Sequence, residues 1–374
     1  MLIGNESMIN LSKEKCTGCG ACNNVCPNDS IKMVADKEGF LYPLVNAESC
    51  SLCGLCQTSC PVLNREGYKR DVAPKAYASW SLNDEVRLSS TSGGIFTELA
   101  RSVILQGGYV AGARYNKAHL AEHYIIGSED DIALLRQSKY VQSAIGVVFK
   151  DIKKLLDKGA PVMFVGSPCE CGGLLSFLGR PYDSLLLCDF ICRGANSPKA
   201  YLKYLESLKL QYGSDIKRVW FKNKINGWNK FCTKIEFENG SEYYADRYKD
   251  LFMRGYLKYN LYMRSSCYRC SFKGFPRQSD ITLADFWGVE LKDKSVDTDK
   301  GTSLVIINSE KGQRHFDELG DRVFKEENSL EAALPFNQCA VSSVGIGEKR
   351  EYFFSEIDRT DFEVLISKIK ETEK

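Results

Sequence analysis

Residues 16–27 read CTGCGACNNVCP, and residues 50–61 read CSLCGLCQTSCP. Both runs space four cysteines as C-x2-C-x2-C-x3-C before a proline, and the second run lies 34 residues after the first (50 − 16 = 34). Two strand-like segments, 31–34 and 40–45, flank a turn at 36–39 between the runs, a pattern typical of a β-hairpin. The sequence therefore predicts a small N-terminal domain, residues 1–64, built on an internal repeat.

This cysteine spacing is typical of bacterial ferredoxins, in which thiolates bind two 4Fe-4S clusters. In that arrangement the fourth cysteine of each run binds the cluster of the other run. The predicted ligands are Cys16, Cys19, Cys22 and Cys60 for one cluster, and Cys50, Cys53, Cys56 and Cys26 for the second. The alternative is two structural zinc sites, although zinc sites usually combine two C-x2-C pairs.

Composition limits the classes of protein that the 374 residues can form. Hydrophobic residues make up 44% and charged residues 26%, which indicates a globular chain long enough for two domains. The net charge of +2 argues against nucleic-acid binding. No apolar run reaches about 18 residues, and Met1–Lys15 has no basic segment followed by an apolar one, so no membrane span and no signal peptide are predicted. We therefore expect a cytoplasmic protein whose 16 cysteines are metal or redox ligands rather than disulfides.

The rest of the chain predicts a linker at residues 65–75 and a large domain at residues 76–374. Strand and helix patterns alternate there, so we expect an α/β domain with a mixed sheet whose centre is largely parallel. The whole chain is thus expected to join a small two-cluster ferredoxin-like domain of α+β type to a larger α/β domain. The predicted strands are 75–80, 109–114, 123–126, 162–166, 185–192, 217–221, 233–237, 281–285 and 303–308, and the predicted helices are 95–106, 129–137, 144–156, 172–178 and 199–210.

A second group of cysteines suggests a third metal centre. Cys267 and Cys270 form a C-x2-C pair, and Cys169 and Cys192 follow two predicted strands whose carboxyl ends meet at one edge of the sheet. These four are candidate ligands of a third 4Fe-4S cluster. A free dithiol and a zinc site remain alternatives, and Cys171 competes with Cys169 as a ligand.

Ser92, Gly93 and Gly94 precede the predicted helix 95–106 and form a candidate phosphate site. Ser92 is expected to cap the helix, and the glycines would let a phosphate approach the positive end of its dipole. The alternative is an ordinary helix cap. The sequence contains neither the dinucleotide-binding G-x-G-x-x-G pattern nor a Walker motif.

Several motifs taken together carry a family resemblance over about residues 10–345. They are SGGIF at 92–96, SKYVQS at 138–143, SPC at 167–169, CRG at 192–194, SCYRC at 266–270 and DITLADFWG at 280–288. As a set they resemble the coenzyme F420 hydrogenase/dehydrogenase beta-subunit family of iron–sulfur flavoproteins.

The resemblance implies a flavin, FAD with FMN as the alternative, placed beside the third cluster. It implies that Ser92, Gly93 and Gly94 hold the flavin phosphate and that Cys169, Cys192, Cys267 and Cys270 are the cluster ligands. It also implies that Lys139, Tyr140 and Gln142 contact flavin or substrate, with a packed helix end as the alternative, and that Asp285 lines the same cleft, with a strand end beside a core tryptophan as the alternative. Arg193 stands where family members often have histidine, which replaces a titratable group by a permanent cation. Arg193, Lys139 and Tyr140 are therefore the candidate catalytic residues.

The expected function is that of an oxidoreductase passing electrons between the clusters and a flavin. A flavin accepts single electrons and delivers pairs, so hydride transfer to or from a deazaflavin or another small organic substrate, such as a surface-polysaccharide precursor, is expected. The expected partner is ferredoxin or another redox protein. The alternatives are a relay subunit without its own substrate, and a non-redox assembly protein with structural clusters.

Overall fold

The computed structural model describes residues 9–64 and 73–371. The predicted linker, 65–75, lies outside the described residues except for its last three, and Lys75 already belongs to the first strand of the large domain.

The N-terminal domain contains the predicted hairpin and two short helices. Its elements are α1 (Ala21–Val25), β1 (Ile31–Ala35), β2 (Leu41–Val45) and α2 (Leu55–Thr58). β1 and β2 are antiparallel, and the carboxylate of Asp36 closes their turn by accepting hydrogen bonds from the Glu38 and Phe40 amides at 3.0 and 3.1 Å. Each helix begins directly after a glycine with a left-handed φ, Gly20 at +75° and Gly54 at +73°, so the repeat in sequence is also a repeat in backbone conformation.

The remaining elements make up the large domain. Its strands are β3 (Lys75–Ser81), β4 (Tyr109–Tyr115), β5 (Ala121–Ile126), β6 (Val162–Gly166), β7 (Leu185–Phe190), β8 (Ile216–Asn223), β9 (Cys232–Phe237), β10 (Glu242–Asp246), β11 (Ile281–Asp285), β12 (Ser303–Ile307) and β13 (Val323–Asn328). Its α-helices are α3 (Asp84–Ser89), α4 (Ile95–Leu105), α5 (Ile132–Leu135), α6 (Val148–Asp157), α7 (Pro168–Leu178), α8 (Pro198–Tyr212), α9 (Leu251–Leu257), α10 (Glu310–Asp317), α11 (Leu330–Ala333), α12 (Arg350–Glu356) and α13 (Phe362–Glu371). Short 3₁₀ helices occupy Glu129–Asp131, Ser265–Arg269, Gly320–Arg322, Leu334–Phe336 and Gln338–Ala340.

The main sheet is mixed, with a parallel centre, as the sequence predicts. Its order is β13-β3-β12-β11-β7-β6-β4-β5, and β4, β6, β7 and β11 are parallel to their neighbours within that group. β12 is antiparallel to both β11 and β3, so β3 points the same way as the central strands. The carboxyl ends of β3, β6, β7 and β11 consequently lie at one edge of the sheet, which we call the carboxyl edge.

Alternating side chains of the central strands divide the core into two layers. Met163 and Leu186 pack with α4 and α10 on one face, whereas Phe164 and Leu187 pack with α6 and α7 on the other. The smaller sheet, β10-β9-β8, encloses an aromatic core with α8, α9 and α13. No helix within residues 9–64 and 73–371 is long and apolar enough to cross a membrane.

Three predicted helices have different bounds. The predicted helix 129–137 is a 3₁₀ turn followed by the short α5, and the predicted helix 144–156 begins only at Val148. Helix α7 begins at Pro168, four residues earlier than predicted, because the Glu170 carboxylate accepts a hydrogen bond from the Ser167 amide at 2.7 Å and closes a capping box. Cys169 therefore lies in the first turn of a helix.

The N-terminal domain lies directly against the large domain. The side-chain amide of Asn24 donates to the Gly146 carbonyl at 2.9 Å, and Lys150 pairs with Asp29 at 2.7 Å. On the hairpin side, Arg350 donates to the Glu38 carboxylate at 3.0 Å. These contacts join α1 to α6 and the hairpin to the C-terminal helices.

Candidate iron–sulfur centres and cofactor site

The structure brings Cys16, Cys19, Cys22 and Cys60 together in the N-terminal domain, and we call this set the inner quartet. Cys16, Cys19 and Cys60 are buried. Burial, together with the adjacent Cys60 and Cys16, raises the pKa of Cys19 to about 12. The pKa of Cys22 is also raised by burial and by the same neighbours. Four thiolates this close repel one another, so the quartet suits a cationic metal group.

The outer quartet consists of Cys26, Cys50, Cys53 and Cys56, which line a common small cavity with Ile31 and Val45. Cys53 is exposed, and the Leu55 amide lowers its pKa. The Ser30 amide donates to Cys26 Sγ at 3.3 Å. Each quartet thus takes one cysteine from the other run, which is the arrangement that the spacing predicts.

The third quartet combines cysteines from three distant parts of the large domain. Cys169 lies in the first turn of α7, Cys192 follows β7, and the 3₁₀ helix Ser265–Arg269 supplies Cys267 and leads to Cys270. Burial raises the pKa of Cys169 well above its ordinary range, and Cys270 and Cys192 raise it further.

Backbone amides point at two sulfur atoms of the third quartet. The Ala195 amide donates to Cys267 Sγ at 3.4 Å, and the Phe272 amide donates to Cys270 Sγ at 3.4 Å. Hydrogen bonds to sulfur are among the interactions that set the potential of iron–sulfur clusters, so the donor set fits a 4Fe-4S cluster.

Two cysteines close to the third quartet face elsewhere. Cys171 is fully buried between α7 and the sheet, and its thiol donates to the Cys188 carbonyl at 3.3 Å. Cys188 is likewise buried in the sheet core. The geometry therefore favours Cys169 over Cys171 as the fourth member of the quartet.

Among residues 9–64 and 73–371, no group of three or more His, Cys, Asp or Glu side chains is arranged to hold a single metal ion. A lone zinc ion, with bonds of about 2.3 Å, needs its sulfur ligands within about 4 Å of one another. Each thiolate of a 4Fe-4S cluster instead binds a different iron atom.

Helix α7 connects the inner quartet to the third quartet. A Cβ built on Gly173 would lie 3.0 Å from Cys19 Sγ, and one built on Gly172 would lie 3.4 Å from Pro61 Cβ. Cys169 lies four residues before Gly173, which is about 6 Å along a helix axis. The same helix thus supplies a cysteine to the third quartet and contacts the inner quartet.

The Ser92–Gly94 loop lies at the carboxyl edge of the sheet. The predicted cap by Ser92 is wrong, because the N-cap of α4 is Gly94 with φ +91°, and the Ser92 hydroxyl donates instead to the Thr302 carbonyl at 2.7 Å. The Gly93 amide donates to Ser303 Oγ at 2.9 Å. A Cβ on Gly93 would lie 2.9 Å from the Ser303 amide nitrogen, so close packing on the sheet requires this glycine.

A buried lysine that the sequence analysis missed holds this loop. Lys224 Nζ donates to the carbonyls of Arg87 at 2.8 Å and Lys300 at 2.9 Å, and also to that of Ser92. Burial lowers the pKa of Lys224 to about 7. Lys224 directly follows strand β8, and the pattern of apolar and polar residues along that strand does not predict an inward-facing lysine.

Asp285 ends β11 at the carboxyl edge, where it forms an ion pair with the buried Lys222 and accepts a hydrogen bond from Trp228 Nε1 at 3.0 Å. The Trp228 and Trp287 rings stack with centroids 4.3 Å apart. Tyr140 is close enough for Lys222 and Asp285 to affect its pKa, which burial raises. The structure therefore brings Asp285 and Tyr140 together, and it adds Lys222 and Trp228, which the motifs did not indicate.

The other predicted site residues are distributed around this group. Lys139 Nζ donates to the Arg136 carbonyl at 2.7 Å, and burial lowers its pKa to about 7. Gln142 instead accepts a hydrogen bond from the Leu41 amide at 3.0 Å, so its side chain contacts the N-terminal domain.

Arg193 Nη2 donates to Asn260 Oδ1 at 2.7 Å, and its guanidinium lies 5.6 Å from the Tyr256 ring centroid. The Tyr256 ring lies 5.7 Å from that of Tyr140. Tyr256 and Tyr140 thus connect Arg193, the residue after Cys192 of the third quartet, to the group around Asp285.

The buried polar atoms that have no hydrogen-bond partner among the described residues include Thr302 Oγ1 and Arg193 Nε. Buried polar groups are normally paired, so both positions fit a site that is completed by a polar cofactor.

Two segments of the chain match known families. Residues 159–332 match the model for the C-terminal part of the beta subunit of coenzyme F420 hydrogenase/dehydrogenase, and residues 15–64 match the 4Fe-4S dicluster domain. The first segment contains the whole third quartet, and the second contains the inner and outer quartets. Both matches confirm the resemblance that the motifs indicate.

Among solved structures, the chain is similar to one chain of a xenon-derivatised F420-reducing [NiFe] hydrogenase complex from Methanosarcina barkeri. The identity is 15% and the TM-score is 0.48, with 74% of this chain and 89% of that chain covered. No curated protein matches the sequence.

Proposed function

We propose that this chain is an iron–sulfur flavoprotein oxidoreductase. Two segment matches support the proposal: residues 15–64 match the 4Fe-4S dicluster domain, and residues 159–332 match the C-terminal part of the coenzyme F420 hydrogenase/dehydrogenase beta subunit. The protein exchanges electrons between a redox partner protein and a small organic molecule. The observation that carries this proposal is the succession of three cysteine quartets, from the outer one with its exposed Cys53 to the largely buried inner one and the half-buried third one, which meet at α7.

The residues that would hold the clusters are the members of the three quartets, and those proposed for FAD, or FMN, are at the carboxyl edge. When bound, the clusters would carry single electrons and the flavin would convert them to hydride transfer. Ser92, Gly93 and Gly94 are proposed beside the flavin phosphate. Lys139, Tyr140 and Asp285 would face the ring or the substrate, and Arg193 would supply a fixed positive charge.

The outer quartet is the proposed contact point for a redox partner such as ferredoxin. Leu44 is 62% exposed, and Leu52 and Leu55 are each 41% exposed around it. Glu48 is the single charged residue between positions 44 and 58. This apolar, nearly uncharged surface suits transient docking of a protein whose own cluster is surrounded by apolar side chains.

The proposed substrate is a hydride acceptor or donor, either a deazaflavin or another small organic molecule such as a surface-polysaccharide precursor. The charge of Arg193 favours an anionic substrate or the anionic form of a reduced flavin. The family of residues 159–332 supports the deazaflavin.

One observation favours a second function, an electron relay to the active site of a partner enzyme. Lys139, Tyr140 and Asp285 are engaged with carbonyls, aromatic rings and a lysine of this chain. Side chains that already contact other groups of the protein suit a structural role around a bound flavin as well as they suit catalysis.

A turnover experiment separates these two functions. The protein is purified without oxygen, reconstituted, and reduced by dithionite or ferredoxin, and a deazaflavin is then added without any partner. We expect bleaching of the deazaflavin over many turnovers, whereas a single stoichiometric reduction would identify a relay. The Cys267→Ser variant should lose about four iron atoms, and electrons should no longer pass between the N-terminal domain and the flavin. A Cys267→Ser variant with unchanged iron would contradict the third cluster.

A further inference from the structure

Arg264 is fully buried at the interface between the two domains. It belongs to the large domain, yet its Nε donates to the carbonyl of Cys16 at 2.8 Å and its Nη2 lies 3.7 Å from Cys16 Sγ. The guanidinium also lies 4.0 Å from the Tyr42 ring centroid. Arg264 thus places a positive charge against a ligand of the inner quartet.

This charge has no acidic partner among the described residues. None of the ion pairs in residues 9–64 and 73–371 involves Arg264, and its Nη1 is buried without a hydrogen-bond partner. The comparable interface arginine, Arg350, donates to the Glu38 carboxylate, and buried Arg277 pairs with Asp189 at 2.8 Å. An uncompensated buried charge is strongly destabilising, so Arg264 requires an anion that the acidic side chains of residues 9–64 and 73–371 do not supply.

The repeat shows that this contact is specific to the inner quartet. A Cβ on Gly18 would lie 2.9 Å from Arg264 Nη1, so a glycine at that position makes room for the guanidinium. The equivalent position in the second run (18 + 34 = 52) is Leu52, which is exposed. At this position the second run therefore has a leucine side chain where the first run leaves space for a guanidinium.

Arg264 is also joined to the third quartet. It is the residue before the 3₁₀ helix Ser265–Arg269, and its carbonyl accepts a hydrogen bond from the Cys267 amide at 2.9 Å. The guanidinium of Arg264 thus adjoins Cys16 of the inner quartet, and the backbone of the same residue contacts Cys267 of the third quartet.

We propose that Arg264 is the counter-ion of the inner 4Fe-4S cluster, that it stabilises the reduced state of that cluster, and that it ties docking of the N-terminal domain to the presence of iron. This inference rests on the proposed function, because it needs the inner cluster. A 4Fe-4S cluster with four thiolates is anionic and becomes more so when it gains an electron, so a fixed positive charge in a buried site raises its midpoint potential. Arg264 is a positioning and tuning residue, since it is not a ligand.

The test is a redox titration, followed by electron paramagnetic resonance, of the reconstituted protein and its Arg264→Gln variant. At fixed potential, we expect the reduced-to-oxidised ratio of the inner cluster to fall about tenfold in the variant, which is about 59 mV for a one-electron couple. Arg264→Lys, which keeps the charge, should stay closer to the parent, and the outer cluster should not change.

The matched control is Glu38→Gln combined with Arg350→Gln, which removes an interface ion pair without changing net charge. It should leave all potentials unchanged. An Arg264→Gln protein with full iron and unchanged potentials would overturn the proposal, whereas a parent protein without iron would overturn the proposed function instead. If the glutamine variant does not take up iron, uptake by Arg264→Lys supports the charge requirement, and failure of both variants would assign Arg264 a purely steric role.

Discussion

Gly173 of α7 and Cys19 of the N-terminal domain touch across the domain interface, with so little space that a Cβ on the glycine would lie 3.0 Å from both Cβ and Sγ of Cys19. This contact is where the helix that begins with Cys169 meets the inner quartet. The absence of a side chain at position 173 therefore sets the distance between the inner quartet and the third quartet.

Replacing Gly173 by alanine should force the domains apart at this point. Overpacking of a buried contact of this kind costs about 1–3 kcal/mol. We expect the free energy of unfolding of the reconstituted protein to fall by that amount, and the rate at which the flavin is reduced through the N-terminal domain to fall with it. Stopped-flow reduction under anaerobic conditions and denaturant titration measure the two effects.

Gly345→Ala is the control, since a Cβ there meets no atom within 4 Å. Equal flavin reduction rates in Gly173→Ala and Gly345→Ala proteins would show that electrons do not pass this contact.

Cys169 and Cys171 should respond differently to substitution. Cys169→Ser removes a member of the third quartet, so we expect the loss of about four iron atoms. Cys171→Ala should retain all the iron and lose about 1 kcal/mol of stability, because it removes one small buried side chain. Iron analysis of both reconstituted variants would contradict the assignment of Cys169 if only Cys171→Ala lost iron.

The Lys222–Asp285 pair should show strong coupling. Asp285→Asn leaves the buried Lys222 ammonium without its counter-ion, and breaking a buried pair costs about 3–5 kcal/mol. Lys222→Met combined with Asp285→Asn should recover part of that loss, because no charge then stays buried. A double-mutant cycle from denaturant unfolding gives the coupling energy, and additive losses would show that the two charges do not interact.

Lys139 should make stability depend on pH. Burial lowers its pKa from 10.5 to about 7, so between those pH values the unfolded chain binds more protons than the native protein. Stability attributable to Lys139 therefore rises with pH across this window, and the burial penalty is fully present below about pH 7.

Lys139→Met lacks this titration. Relative to the parent, the variant should be most stable near pH 7 and lose that advantage towards about pH 10. The change with pH is the readout, since lost hydrogen bonds add a constant offset. Parallel stability curves of the two proteins would contradict a lowered pKa for Lys139.

The sequence was most informative where the chemistry is local. The spacing of Cys16 to Cys26 predicts a cluster-binding loop because three ligands fall within seven residues, and short, mainly apolar runs predict strands such as Val162–Gly166 and Ile281–Asp285. The helix at α7 was predicted too short, because the capping role of Glu170 depends on a single side-chain hydrogen bond.

Such local patterns do not predict contacts between residues that are far apart in the sequence. Gln142 belongs to a motif that suggests cofactor binding, yet it meets Leu41, 101 positions away, at the domain interface. Arg264, Lys222 and Lys224 gave no signal, because a buried cation is recognisable only from the groups that the fold places around it. Ser92 was expected to cap a helix, but the fold directs its hydroxyl to Thr302.

Iron and acid-labile sulfide in the anaerobically purified, reconstituted protein test the central claim most directly. Three cysteine quartets holding 4Fe-4S clusters predict about twelve iron atoms and about twelve sulfide ions per chain, with no bound zinc. Zinc in place of iron, or iron without matching sulfide, would contradict the claim.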